Sequence, residues 1–113
     1  MPALAWRVEI GNAIVAFSGD TSGEGGLAAL AAGADLLVAH NAVPEGATEF
    51  ERNLHMPPSI IGEIAAGARV KHLVLSHRML RTLGKDEQTQ KEIRKRYAGP
   101  LEFANDLDCF AVP

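Results

Sequence analysis

Two short segments carry the side chains best suited to hold a metal ion. Ser18-Gly19-Asp20-Thr21 closes one apolar run, and Leu75-Ser76-His77 closes another. A carboxylate and an imidazole just past the ends of apolar strands lie where α/β sheets gather their ligands. A neutral ring nitrogen of His77 suits zinc or iron, and Asp20, in a loop rich in glycine, can reach a ligand with no helix in the way. Each residue has a plainer reading as well. An aspartate in that setting suits a turn or a helix cap, and a strand-end histidine suits a capped surface position. The glycines from Gly19 to Gly26 permit a phosphate cradle, yet their spacing matches neither the P-loop nor the dinucleotide fingerprint.

Three further histidines complete the inventory. His55 lies in a loop just before a helix start, where it can act as a general acid, a ligand or an ordinary loop residue. His40 ends an apolar run beside Asn41 and reads as a hydrogen-bonded structural histidine or as a group that orients a neighbouring ligand. His72 falls inside a strand pattern and takes no functional assignment.

The elements that must position these groups follow from the pattern. Trp6 to Ile10 alternates apolar and polar residues, Gly11-Asn12 supplies a two-residue turn, and Ala13 to Phe17 continues as a buried strand, so a β-hairpin is expected. Leu27 to Ala32 predicts a short helix closed by Gly33. Leu36 to Ala39 is a continuous apolar run, as in a parallel strand buried on both faces. Residues 42 to 56 read as a long loop. Pro57-Pro58-Ser59 starts a helix with Ile60, Ile61, Ile64 and Ala65 on one face, and Val70 to Leu75 forms another strand. Asp86-Glu87 at one end and Lys91, Arg94, Lys95 and Arg96 at the other complement the dipole of a solvated helix. After Gly99-Pro100, Leu101 to Ala104 and Leu107 to Val112 are expected as strands. The predicted order is ββ-α-β-α-β-α-ββ, an α/β fold in a single domain over residues 1–113.

Composition narrows the function classes. Hydrophobic residues make up 47% and charged residues 22% of the 113, the usage of a globular chain, which sets aside disordered and collagen-like classes. A chain this short has little surplus burial and is expected to lean on a partner surface. With 11 basic and 14 acidic residues the net charge is −3, so there is no strong nucleic-acid footprint. The single cysteine, Cys109, sits in an apolar run and reads as a buried thiol. The first residues lack the charged start and apolar block of a signal peptide, and no apolar run approaches the roughly 20 residues that cross a bilayer. No membrane association and a cytoplasmic location are therefore expected.

The succession of strand, Gly19-Asp20-Thr21, helix, Ala34-Asp35-Leu36-Leu37, His40, a loop with His55, helix, and Leu73-Val74-Leu75-Ser76-His77 resembles the C-terminal half of the metallo-β-lactamase-fold hydrolases. It is most similar to their ribonuclease Z and arylsulfatase-like branch. The resemblance covers nearly the whole chain and implies half of an αββα sandwich. It also implies that Asp20 bridges two metal ions, that His77 binds the second, and that His55 assists catalysis. The implied cofactor is zinc, with manganese or iron as further candidates. The implied reaction is hydrolysis of an ester or phosphodiester by metal-bound hydroxide.

The chain also departs from that pattern. The family's N-terminal half carries a His-x-His-x-Asp-His motif, and no such spacing occurs among His40, His55, His72 and His77. Asn41 stands where ribonuclease Z-like chains often have an acidic residue. The reading is thus a metal-dependent hydrolase-like protein, inactive as an isolated monomer, whose site is completed by a homo-oligomer or by a missing N-terminal half. The alternative is a non-catalytic, truncated α/β interaction module with relic metal residues. Candidate substrates are small phosphodiesters, sulfate or phosphate esters, and lactone-like rings.

Overall fold

Short runs of apolar residues, broken by polar residues or by glycine and proline, dictate short strands with crossover segments between them. The computed structural model describes residues 4–112 and shows this order. Strands β1 (Trp6–Ile10) and β2 (Ala13–Phe17) form the expected hairpin. Gly11 takes φ +59°, as the first central position of a type II′ turn requires. The one-turn helix α1 (Leu27–Leu30) leads to β3 (Leu36–His40). Helices α2 (Glu49–Leu54) and α3 (Pro58–Gly67) precede β4 (Leu73–Ser76), and α4 (Asp86–Arg94) precedes β5 (Leu101–Phe103). The strands lie in the order β1-β2-β3-β4-β5. β1 runs antiparallel to β2, and every other neighbouring pair is parallel.

Alternation along the strands divides the sheet into two faces. One carries Ala16, Leu37, Ala39, Leu73 and Leu75, all buried against Leu27, Ile61, Ile64, Ala65 and Ile93 of the helices. Each fully buried Leu or Ile here stabilises the fold by roughly 1.5–3 kcal/mol. A Cβ on Gly62 would stand 2.9 Å from the Ile93 carbonyl oxygen, so only glycine lets α3 and α4 approach this closely. Asp35 fixes the entry into β3. Its carboxylate accepts from the Ile14 N–H at 2.8 Å and from Lys71 Nζ at 3.1 Å.

Three local expectations are corrected. Residues 42–56 are not loop throughout, because α2 forms inside them on a reciprocal capping box between Thr48 and Glu51. Its residues are all exposed or half-buried, so it has no apolar stripe to announce it. Leu107 to Val112 is not a strand. The Asn105 N–H donates to Asp108 Oδ2 at 2.8 Å and the Asp108 N–H to the Asn105 carbonyl at 3.1 Å, closing a turn that leaves Leu107 99% exposed. Cys109 is consequently exposed rather than buried. No helix among the described residues is long and apolar enough to cross a membrane.

Candidate metal centre

The site begins with the way β2 ends. Ser18 is buried; its N–H donates to the Val38 carbonyl at 3.0 Å, and its Oγ accepts from the His40 N–H at 3.0 Å. One serine thereby ties the ends of β2 and β3 together. Gly19 then turns the chain at φ +62°, with the Leu4 carbonyl oxygen 2.6 Å from where a Cβ would stand. A side chain is excluded there on both counts, and the turn sets Asp20 over the end of β3.

His40 is the last residue of β3 and pairs in register with Ser76, the last residue of β4. That register places His40 beside His77, and the two rings lie 4.6 Å apart at 31°. The ring N–H of His40, at Nδ1, donates to Asp20 Oδ1 at 2.8 Å. Asp20, His40 and His77 each offer a donor atom within 4.8 Å of the other two. His77 has φ 51° without being glycine. Arg69 shares that conformation, but it follows the end of α3 as an ordinary helix cap. At a strand end such a backbone costs on the order of 1–3 kcal/mol and persists where its surroundings impose it.

His55 closes α2, its N–H donating to the Glu51 carbonyl at 3.0 Å. Glu51 in turn meets Arg81 at 3.2 Å, which fastens α2 to the segment after β4. The His55 ring lies 6.3 Å from that of His77, and its Nδ1 is 3.8 Å from Asp20 Oδ1. That nitrogen is buried without a hydrogen-bond partner among the described residues. All three residues singled out in the sequence thus stand at one strand-end cluster. His40 joins them as a donor, although the sequence pointed only to a supporting or structural role. Its signal was its place as the terminal residue of an apolar strand, but the pairing with Ser76 is a tertiary fact.

The electrostatics favour ligation. The His40 hydrogen bond, opposed by burial and aided by the charges of His40, His55 and His77, holds the Asp20 carboxyl below its ordinary value. Burial lowers the His55 imidazole more than the Asp20 charge raises it, with Arg81 and the other two histidines adding to the fall. At neutral pH the cluster therefore presents an ionised carboxylate and an uncharged His55. One carboxylate and two imidazoles are a donor set that suits a borderline divalent ion, and three protein donors are what a catalytic zinc takes. Beside the cluster, outside the carboxyl ends of β4 and β5, lies a cavity of about 810 Å³ lined by His77, Arg78, Met79, Leu83, Asn105 and Asp106, among others.

No protein-family model and no curated protein matches the sequence. Solved structures do. YhfI of Bacillus subtilis, a metallo-β-lactamase fold protein, superposes with a TM-score of 0.78 at 24% identity, over 89% of this chain and 41% of its own. The short form of human tRNase Z, ELAC1, superposes with a TM-score of 0.70 at 22% identity, over 96% of this chain and 37% of its own. The chain carries part of a metallo-β-lactamase fold. It spans about two-fifths of the length of either structure. The α/β half-sandwich expected from the order of strand ends is thus what the chain adopts. At these identities the likeness shows the fold alone.

Proposed function

We propose that the chain carries the metal-binding and proton-transfer part of a metal-dependent hydrolase that cleaves an ester-type bond. The convergence of Asp20, His40 and His77 within 4.8 Å, at the carboxyl ends of three neighbouring strands, carries this reading. A divalent ion bound there would supply Lewis acidity toward the attacked centre and lower the pKa of water. Asp20 and the two imidazoles would hold it, releasing protons as they do so because ligation requires the deprotonated donor. The turn at Gly19 and the left-handed backbone at His77 hold Asp20 and His77 in place without rearrangement of the strands.

His55 serves the proton. Half-buried and uncharged, it accepts a proton from the attacking water as the new bond to the acyl or phosphoryl centre forms. It returns that proton to the departing oxygen as the old bond breaks, so the two transfers cancel over the cycle. The cavity below His77 is the natural seat for the departing group. Zinc is the metal this donor set suits best, and the substrate is a small ester or phosphodiester.

Metal analysis of protein purified without chelators tests this. About one divalent ion per site is expected with the native chain, and Asp20→Ala should lose most of it, since a lost ligand costs at least the 10- to 100-fold in affinity that a lost supporting group costs. Undiminished metal in the Asp20 variant would overturn the ligand assignment.

A further inference from the structure

His77 is followed by an arginine that the reaction outlined above leaves idle. The Arg78 side chain is 11% exposed and lines, beside His77, the cavity of about 810 Å³ outside β4 and β5. Two neighbours fix it there. Its guanidinium carbon lies 5.0 Å from the centre of the Phe103 ring, on β5, and Nη2 donates to Asp86 Oδ1 at the start of α4. Stacking on an aromatic face sets the plane of a guanidinium, so this cation is held in place instead of sweeping through solvent.

The way it is held leaves it short of acceptors. A guanidinium presents its N–H donors in a planar fork, and an arginine that serves only to clasp a carboxylate uses them as a parallel pair. Here one carboxylate oxygen meets Nη2, while Nε is buried with no partner among the described residues. The Asp86 side chain is 45% exposed, so water screens the charge it offers. Asp106, the acidic residue on the cavity wall, is exposed and forms no ion pair with Arg78 among the described residues. A buried cation with unmet donors is costly unless an acceptor reaches it from elsewhere. The cavity is the open side from which one can come.

We propose that Arg78 selects the substrate by binding an anionic oxygen group, a carboxylate or a phosphate, on the departing part of the ester. Such a group carries two or more oxygens on one centre, which suits the fork that Asp86 leaves half used. The substrate class is thereby narrowed from esters at large to anionic esters. That the anion belongs to a substrate rests on the hydrolase reading, whereas the anion contact itself does not.

Inorganic phosphate and, separately, acetate are titrated into the isotope-labelled native chain in chelator. The Arg78 Nε–H and the amides of His77, Ala104 and Asn105 are followed by NMR, since they belong to the cavity wall. Saturable shifts at these positions are expected with at least one of the two anions, and the tighter one names the group that the substrate carries. Arg78→Gln should weaken that binding by about 10-fold or more, as the loss of a hydrogen bond to a charged group does. If that variant fails to fold, Asp86→Asn decides. It keeps the guanidinium over Phe103, removes the competing carboxylate, and should tighten the anion several-fold. A native chain that shifts with neither anion overturns the proposal. So does a folded Arg78→Gln variant that binds as tightly as the native chain, or an Asp86→Asn variant that binds no more tightly. Anion binding in a chain that takes up no zinc upholds the Arg78 contact and sinks the hydrolase reading. Zinc uptake without anion binding does the reverse.

Discussion

Two imidazole–carboxylate pairs in this molecule have nearly equal separations and opposite surroundings. His40 Nδ1 is 2.8 Å from Asp20 Oδ1, and His72 Nε2 is 2.6 Å from Glu102 Oε2. The first is an aligned hydrogen bond at the carboxyl ends of parallel strands, with His77 stacked alongside and the His55 Nδ1 at 3.8 Å. The second lies within the sheet, roofed by Phe110, and His72 Nε2 is off the line that a hydrogen bond needs. No third donor joins it among the described residues. Distance between a histidine and a carboxylate therefore says little about function. What separates a site from an ion pair is convergence of several donors where backbone ends and loops leave room for a ligand.

The largest effect that tests this contrast is on metal affinity. His40→Ala should weaken zinc binding on the order of 10- to 100-fold by titration calorimetry, as expected for a ligand or a group that orients one. His72→Ala should leave it unchanged within error. Equal losses in the two variants would erase the distinction between the pairs and point to a nonspecific imidazole effect.

Much of this architecture was legible in the residues, and the misses have identifiable causes. The strand ends near Phe17 and Leu75 were readable because short apolar runs stop at a glycine-rich loop or just before a histidine. They led to Asp20 and His77 and, through their order, to the fold. The place of His40 depends on the pairing of β3 with β4, which no local pattern contains. Helix α2 was missed because its stability comes from Thr48 and Glu51 capping each other rather than from a buried stripe. The spacing Thr48-x-x-Glu51 is the local signal that marks its start. The C-terminal run looked like a strand because Phe110, Ala111 and Val112 are apolar, whereas the Asn105–Asp108 turn directs them across the sheet face instead of along its edge.

A smaller effect separates the pairs by acid. Burial depresses the folded pKa of His55 below its ordinary 6.5. Its contribution to stability is therefore complete above about pH 6.5 and is lost as the pH falls toward the depressed folded value, because the unfolded chain binds the proton more tightly. The lowered Asp20 follows the same sign in a more acidic window, with its contribution lost as the pH drops below the ordinary 3.8 toward its own folded value. In chelator, urea midpoints should fall between about pH 7.5 and about pH 5.5, and His55→Gln should flatten that fall. A slope that survives the loss of His55 would mean that its burial is not what drives the acid sensitivity.

The smallest effect belongs to the second pair. Glu102 is half exposed and meets His72 without hydrogen-bond alignment, so the contact gains little against solvent and side-chain entropy. Glu102→Gln should change unfolding free energy by less than about 1 kcal/mol and leave zinc uptake untouched. The measurement is sensitive to one further contact, since His72 also bears the edge of Phe110. A loss well above that bound would show that the pair anchors the C-terminal segment over the sheet. Phe110→Ala should then reproduce the loss, and the contrast would become one between a ligand cluster and a structural clasp.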